Sequence, residues 1–123
     1  MAEVLAERRR EQERLVGLAR EYVERLSRRF PIVGAAVVGS VARGDFNLWS
    51  DVDVVVVTED LPDRTPERGV ALALDAPPGV QAVGFSPEEF EAAWLRRNPL
   101  AREASQIGVA LVGQDFFRRP REP

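Results

Sequence analysis

The sequence contains no cysteine, no histidine and no lysine. Without cysteine there can be no disulfide bond, no thiol catalysis and no thiolate zinc site. Without histidine there is no imidazole base, no histidine metal ligand and no Ser-His triad. Without lysine there is no Walker-type phosphate loop and no Schiff base. Any chemistry must therefore use carboxylates, hydroxyls, arginine, backbone amides or a cation that prefers oxygen ligands.

The size and charge of the chain narrow the class of protein further. Its 123 residues are 45% hydrophobic and 30% charged, which is typical of one globular domain. A net charge of -3 does not favour a general surface for nucleic acid. No apolar run approaches the roughly 20 residues of a membrane span, and the charged N-terminus does not resemble a secretory signal. We therefore expect a cytoplasmic protein that binds neither membranes nor nucleic acid directly.

Hydrophobic periodicity predicts helices that alternate with short strands. A long amphipathic helix is predicted over Ala2–Arg29, ended by Pro31, and packed on the same domain. Runs of β-branched residues predict four strands, at Ile32–Val38, Asp51–Val57, Val80–Phe85 and Val109–Val112. Between them we predict a helical turn at Val41–Gly44 and helices at Pro66–Leu74, 87–97 and Pro99–Ile107, with Thr65 and Ser86 as N-caps. This order indicates an α/β fold with one small sheet.

The chain thus divides into three parts. Residues 1–30 form the N-terminal helix, residues 31–117 form the sheet domain, and residues 118–123 are predicted to be a disordered tail. The arginines of that tail are expected to be solvated.

Two acids open the second predicted strand. In Asp51-Val52-Asp53, the alternation of a strand places both carboxylates on one face, with Cα atoms roughly 6.5–7 Å apart. Like charges this close repel, and each favours protonation unless a cation lies between them. The pair suits Mg²⁺ (or Mn²⁺), which binds through one or two carboxylates together with substrate phosphates. Taken alone, the pair can equally be a solvated strand end.

A glycine and a serine end the first predicted strand. Gly39 allows the backbone to approach a ligand closely or to adopt a positive φ. The amides of the following turn and the Ser40 hydroxyl can hold phosphate oxygens. Taken alone, Gly39-Ser40 can equally be an ordinary turn between a strand and a helix.

The glycine-serine pair and the acid pair together are a far more specific signal than either of them alone. Gly39-Ser40, a ten-residue spacer and Asp51-x-Asp53 followed by four valines resemble the signature of the DNA-polymerase-β-like nucleotidyltransferase superfamily. The residues A-R-G-D at 42–45 and S-D at 50–51 resemble its minimal nucleotidyltransferase branch, which is known from prokaryotic two-gene pairs. Segments 80–90 and 98–111 resemble the later strands and helices of that branch. The likeness covers roughly residues 30–113.

The resemblance implies a small mixed sheet packed with helices and a metal-dependent transfer of a nucleoside monophosphate. Gly39 and Ser40 would hold the β- and γ-phosphates of a nucleoside triphosphate. Asp51 and Asp53 would be the catalytic residues and would bind two divalent ions.

Three further residues in and near the motif have more than one interpretation. Arg43 has a planar guanidinium that suits phosphate oxygens, and the alternative is a structural ion pair with Asp45. Trp49 lies inside the motif and could stack on a base. Trp94 lies on an apolar helix face and is expected in the core.

The third predicted strand departs from the family pattern. Active members carry a third carboxylate there, and Gln81 occupies that position by register. Glutamine is neutral and cannot act as a base at pH 7, although its carbonyl can contact a cation. Asp75 could substitute, but its surroundings indicate a turn. We expect the nucleotide and its companion metal to bind, and the missing acid to weaken catalysis.

Two functions of different classes follow. The first is an enzyme that transfers a nucleoside monophosphate, for instance adenylate from ATP, to an acceptor hydroxyl. The resemblance implies a separate all-helical HEPN-type partner, with the pair acting as toxin and antitoxin. The second is a degenerate module that binds nucleotide or partner without turnover, which Gln81 and the long N-terminal helix favour. An unrelated α/β domain with a fortuitous motif is a third reading, and self-association stays open.

Overall fold

The computed structural model describes residues 1–122. Within this range, six helices and four strands follow one another in the order α1 (Ala2–Leu26), β1 (Ile32–Val38), α2 (Gly39–Arg43), β2 (Val52–Thr58), α3 (Thr65–Ala73), β3 (Val80–Phe85), α4 (Pro87–Leu95), α5 (Pro99–Gln106), β4 (Val109–Val112) and α6 (Gln114–Arg118). The strands form one sheet in the order β3-β2-β1-β4. Strand β1 runs antiparallel to β2 and β4, whereas β3 runs parallel to β2. The predicted small mixed sheet packed with helices is confirmed.

Strand β2 is the centre of the domain, as its unbroken valines predict. Its even-numbered valines pack in a cluster with α1 and α3, and its odd-numbered valines pack with α4, α5 and α6. Because side chains alternate along a strand, Asp53 faces the same side of the sheet as Val55. The side chain of Asp53 therefore lies on the face of the sheet that α5 covers.

Helix α1 does more than cover the sheet. Its buried residues all belong to its second half, namely Ala19, Tyr22, Val23 and Leu26. In its exposed first half, Arg8 donates from Nη2 to the carbonyls of Gly44 and Phe46, at 2.8 and 2.9 Å. Gln12 donates to the carbonyl of Val41 at 2.7 Å. The first half of α1 therefore holds the backbone of residues 41–46, which lead from β1 toward the two acids.

Several boundaries differ from the sequence-based expectation. Helix α1 ends at Leu26 rather than Arg29, and residues 27–30 form a hydrogen-bonded turn before Pro31. Helix α3 begins at Thr65 itself, so the predicted capping role of Thr65 is wrong. The predicted capping box of α4 is confirmed, with Ser86 Oγ accepting from the Glu89 amide and Glu89 Oε1 accepting from the Ser86 amide. Between residues 1 and 122, no helix is both long and apolar enough to cross a membrane.

The C-terminal segment differs from the predicted disordered tail. Arg118 ends α6, and the side chain of Arg121 is only 5% exposed. Arg121 pairs with Glu91 at 2.8 Å and donates to the Phe116 carbonyl at 2.7 Å, while Arg119 also pairs with Glu91. Burial alone would raise the pKa of Glu91, but the hydrogen bonds from Arg121 and Arg119 lower it. A carboxylate on α4 therefore anchors the tail through Arg119 and Arg121, and Pro123 lies outside the described residues.

Tyr22 joins α1 to α3 through one buried hydrogen bond. It is the only tyrosine in the chain, it is fully buried, and its hydroxyl donates to the Leu72 carbonyl at 2.9 Å. Burial and the nearby Asp75 carboxylate raise the pKa of Tyr22 to about 12, although Arg29 acts in the opposite direction. Loss of the proton would leave a buried anion facing a carbonyl oxygen.

We therefore expect the native protein to ionise its tyrosine near pH 12, and the unfolded chain to do so near the ordinary value of 10. Because the native pKa is the higher one, the stability that this phenol contributes is present below pH 10 and is lost as the pH rises toward 12. An ultraviolet titration of the phenolate, with circular dichroism as the control for folding, measures this directly. A phenolate signal near pH 10 in a protein that is still folded would contradict the assignment.

Candidate functional site

The motif has two halves, Gly39-Ser40 and Asp51-x-Asp53, and they meet where β1 ends and β2 begins. Val38, the last residue of β1, is the antiparallel partner of Asp53. Gly39 follows with φ at +73°, and a Cβ atom built on it would lie 2.7 Å from Asp53 Oδ2. Both the backbone angle and the close approach require glycine at this position. The bend at Gly39-Ser40, called the glycine turn below, is therefore in direct contact with Asp53, the second acid of the motif.

Gln81 completes a row of polar side chains on the same face of the sheet. Strands β2 and β3 are parallel, and Asp53 is the register partner of Gln81. Asp51 lies one residue before β2 and is exposed, and Gln81 Nε2 donates to its Oδ2 atom at 3.0 Å. The structure thus places Gln81 beside both acids, where it offers a neutral amide.

The electrostatic environment of Asp53 disfavours its ionised form. Burial, followed by the negative charges of Asp51 and Glu103, raises the pKa of Asp53, and Arg43 lowers it by less. The folded protein therefore holds a proton on Asp53 more readily than the unfolded chain does. A cation placed between the acids would reverse this preference.

This raised pKa predicts that Asp53→Asn stabilises the metal-free protein. Between the ordinary pKa of aspartate and the raised one, the native state binds more protons than the unfolded state, so ionisation of Asp53 lowers stability as the pH rises. Removing the charge should raise the melting temperature at pH 7. The gain should vanish below about pH 3, where the carboxyl is protonated in both states.

Melting curves of wild type and Asp53→Asn at pH 3 and pH 7 measure this difference. Asp60→Asn is the matched control, because Asp60 is exposed in the turn after β2. An Asp53→Asn variant that melts below the wild type at pH 7 would contradict the electrostatic account.

The residues present fit a divalent cation whose coordination is completed by water and by phosphate oxygens of a substrate. Within the described range, 1–122, no group of three or more acidic side chains is arranged to hold a metal ion. Two carboxylates and the Gln81 amide nevertheless offer oxygen ligands at one edge of the sheet. This donor set suits Mg²⁺, which is commonly held by one or two carboxylates, water and substrate phosphates.

The glycine turn is closed by backbone bonds and tied to α5. The Ser40 carbonyl accepts from the amides of Gly44 and Asp45, at 2.9 and 3.1 Å. The amide of Gly39 donates to Glu103 Oε1 at 3.0 Å. Glu103 belongs to α5, whose start is fixed by Asn98 accepting from two backbone amides. The half-buried Ser40 lies in α2, one residue after Gly39, whereas the sequence predicts a turn at this position.

Of the two partners considered for Arg43 on sequence grounds, Asp45 is present in the structure. The Nε atom of Arg43 lies 3.3 Å from Asp45 Oδ2, as the structural alternative predicts. Its Nη1 atom also lies 3.1 Å from Glu103 Oε1, the same oxygen that accepts from the Gly39 amide. With its side chain 43% exposed, Arg43 stands beside the turn and open to solvent.

Glu103 is the residue that sequence reasoning missed. It is separated from Gly39 by 64 positions, and no motif links the two. The one signal in the sequence is local, since Glu103 precedes Ala104 on a helix whose alanines are buried. That pattern indicates that Glu103 lies near the sheet, but it does not indicate that Glu103 contacts Gly39 and Arg43.

Three residues remain from the sequence analysis, namely Asp75, Trp49 and Trp94. Asp75 pairs with Arg29 at 2.6 Å, which supports its structural reading over a role as the third acid. Trp49 is 90% exposed. Trp94 packs against the core cluster of α4, α5 and α6, as expected, and Arg102 stacks 3.6 Å above its ring.

Comparisons with known proteins agree with this geometry. The family described as "Nucleotidyltransferase domain" matches residues 19–113, which contain the glycine turn, both acids, Gln81 and Glu103. A crystal structure at 1.40 Å resolution of a protein from Sulfolobus solfataricus, assigned as a nucleotidyltransferase, superimposes with a TM-score of 0.63. The two chains are 23% identical over 84% of each, a likeness that shows the fold alone. No curated protein matches the chain.

Proposed function

The chain belongs to the nucleotidyltransferase domain family, and from this premise we propose that it transfers a nucleoside monophosphate from a nucleoside triphosphate to an acceptor hydroxyl. The observation that carries the proposal is the contact between the two halves of the motif. A Cβ on Gly39 would stand 2.7 Å from Asp53 Oδ2, so a polyphosphate on the glycine turn would lie directly against the acids. ATP is the proposed donor and adenylate the proposed transferred group.

Each residue of the site has a role in this proposal. The Gly39 amide, the Ser40 hydroxyl and the Arg43 guanidinium bind the β- and γ-phosphates through charge-assisted hydrogen bonds. Asp51 and Asp53 would hold the divalent cation, Mg²⁺ or Mn²⁺. When bound, that cation would neutralise charge on the phosphates and on the leaving pyrophosphate.

The reaction needs little covalent help from the protein. The acceptor oxygen forms a bond to the α-phosphorus, the bond between the α-phosphorus and the bridging oxygen breaks, and pyrophosphate leaves. Gln81 has no basic atom, so the proton of the hydroxyl passes to water. Positioning and electrostatics supply most of the catalysis in such transfers, which suits a chain without histidine, lysine or cysteine.

The acceptor is proposed to be a tyrosine on a separate HEPN-type protein, with this chain as the antitoxin of the pair. The support is the resemblance of residues 39–53 to the minimal nucleotidyltransferase branch. Because nucleoside triphosphates are held in the cytoplasm, we place the reaction there. Neither a membrane nor direct contact with nucleic acid has a part in it.

Incubation of the chain with α-labelled ATP and an HEPN-type partner tests the proposal. We expect label to enter the partner with Mg²⁺ or Mn²⁺ and not with a chelator, and to be lost when the tyrosines of the partner are replaced by phenylalanine. Parallel reactions with the other three nucleoside triphosphates measure base preference. No incorporation into any acceptor, with no triphosphate bound, would refute the proposed function.

One observation favours a second candidate, a module that binds nucleotide without turnover. Gln81 stands in register with Asp53 and donates to Asp51, where active members of the family carry a third acid. Under this reading the triphosphate binds and no label is transferred. The Gln81→Asp experiment described in the Discussion separates the two candidates.

A further inference from the structure

Two of the donors assigned to the phosphates already hold an anion. Glu103 Oε1 accepts from the Gly39 amide at 3.0 Å and from Arg43 Nη1 at 3.1 Å. A carboxylate oxygen bound by a backbone amide and a guanidinium has the same partners that a phosphate oxygen takes in such a turn. Glu103 therefore occupies the place of one phosphate oxygen.

The surroundings show that this contact can be exchanged. Each backbone amide has a single proton to donate, so the Gly39 amide cannot serve a phosphate while it fully serves Glu103. The side chain of Glu103 is 24% exposed and that of Arg43 is 43% exposed, so both reach solvent. Negative charge thus already fills the position that an incoming polyphosphate needs.

We propose that Glu103 sets the affinity and the charge selectivity of the nucleotide site by competing with the phosphates for Gly39 and Arg43. This inference rests on the proposed function. A polyphosphate with its cation displaces the Glu103 carboxylate, because it offers several oxygens and brings compensating positive charge. A monophosphate offers fewer contacts and displaces it poorly. Glu103 acts through the turn and the arginine, and it is a positioning residue.

The opposing explanation is a brace, in which Glu103 keeps the glycine turn in a shape that binds phosphate. The two explanations predict opposite signs. If Glu103 competes, replacing it by glutamine or alanine tightens nucleotide binding. If Glu103 braces the turn, alanine weakens binding, and glutamine, which retains an oxygen acceptor, restores it.

Isothermal titration with non-hydrolysable analogues of ATP, with ADP and with AMP, each with Mg²⁺, distinguishes them. We expect Glu103→Gln and Glu103→Ala to bind the triphosphate about tenfold more tightly than wild type, with a smaller gain for ADP and the smallest for AMP. Glu88→Gln is the matched control, because Glu88 is exposed at the start of α4 and its replacement changes the net charge by the same amount. Glu88→Gln should shift all three affinities little.

The outcomes separate this inference from the proposed function. If the wild type binds the triphosphate and both Glu103 variants bind it equally or more weakly, the inference is overturned and the proposed function stands. A gain of the same size for AMP as for the triphosphate also overturns it. If neither the wild type nor any variant binds a nucleotide, the inference and the proposed function are both refuted. Circular dichroism melting of each variant confirms that folded proteins are compared.

Discussion

Replacing Asp53 by asparagine should reduce nucleotide transfer at least a hundredfold, and Asp51→Asn should do the same. Asparagine keeps the size of the side chain and removes the charge that holds the cation beside the phosphates. Since catalysis of this type depends on charge neutralisation, the loss should fall on the rate at saturating nucleotide. Alanine at either position should be at least as damaging.

The stability of the same variant guards against a trivial explanation. Asp53→Asn should melt above the wild type at pH 7, because it removes a charge that burial and neighbouring acids disfavour. A loss of activity in a more stable protein cannot be attributed to unfolding. Asp60→Asn, in the exposed turn after β2, is the control for activity as well. Transfer that continues unchanged in both Asp51→Asn and Asp53→Asn would remove the acids from the mechanism.

Changing Gln81 to aspartate should raise the transfer rate about a hundredfold. Gln81 stands in register with Asp53 and 3.0 Å from Asp51, so the new carboxylate would join the acid pair. It would add a third charged ligand and a base for the attacking hydroxyl, and such bases contribute roughly 10²–10⁴-fold. The substitution also adds a third negative charge beside Asp51 and Asp53, and it removes the hydrogen bond that Gln81 donates to Asp51. We therefore expect lower stability without Mg²⁺ and recovery when Mg²⁺ is added.

A rate assay of wild type, Gln81→Asp and Gln81→Asn over a range of pH separates the two candidate functions. Gln81→Asn keeps a neutral amide and should show no gain. Strong activity that appears only in Gln81→Asp identifies the natural chain as a degenerate, nucleotide-binding module. A wild type that is active by itself, with no gain in Gln81→Asp, identifies a working enzyme with two carboxylates and contradicts the predicted increase.

The sequence predicted the four strands and helices α1 to α5, whereas the short helix α6 was not predicted. Strand β1 has its predicted ends, Ile32 and Val38, because the residues that flank this β-branched run, Pro31 and Gly39, do not continue a strand. The valines of β2 mark the central strand, because only a strand covered on both faces can be apolar at every position. In the structure Gly39 meets Asp53 through the pairing of β1 with β2, and the parallel register of β3 brings Gln81 beside them.

The contacts that were not foreseen are made by side chains from distant elements. Arg8 bonds the carbonyls of Gly44 and Phe46 across 36 and 38 positions, and Glu103 reaches Gly39 across 64. A charged residue on an exposed helix face gives the same periodic signal whether it meets water or a backbone carbonyl. The anchoring of Arg121 by Glu91 was hidden for the same reason, since a short arginine-rich segment resembles a solvated tail.

The most direct test of the central claim is a crystal structure of this chain with Mn²⁺ and a non-hydrolysable triphosphate, with Mn²⁺ located by its anomalous scattering. We expect a manganese ion bound by Asp51 and Asp53, with the phosphates on the amide of Gly39. An ion and a triphosphate bound elsewhere, with the two acids and the glycine turn left as they are, would contradict the account.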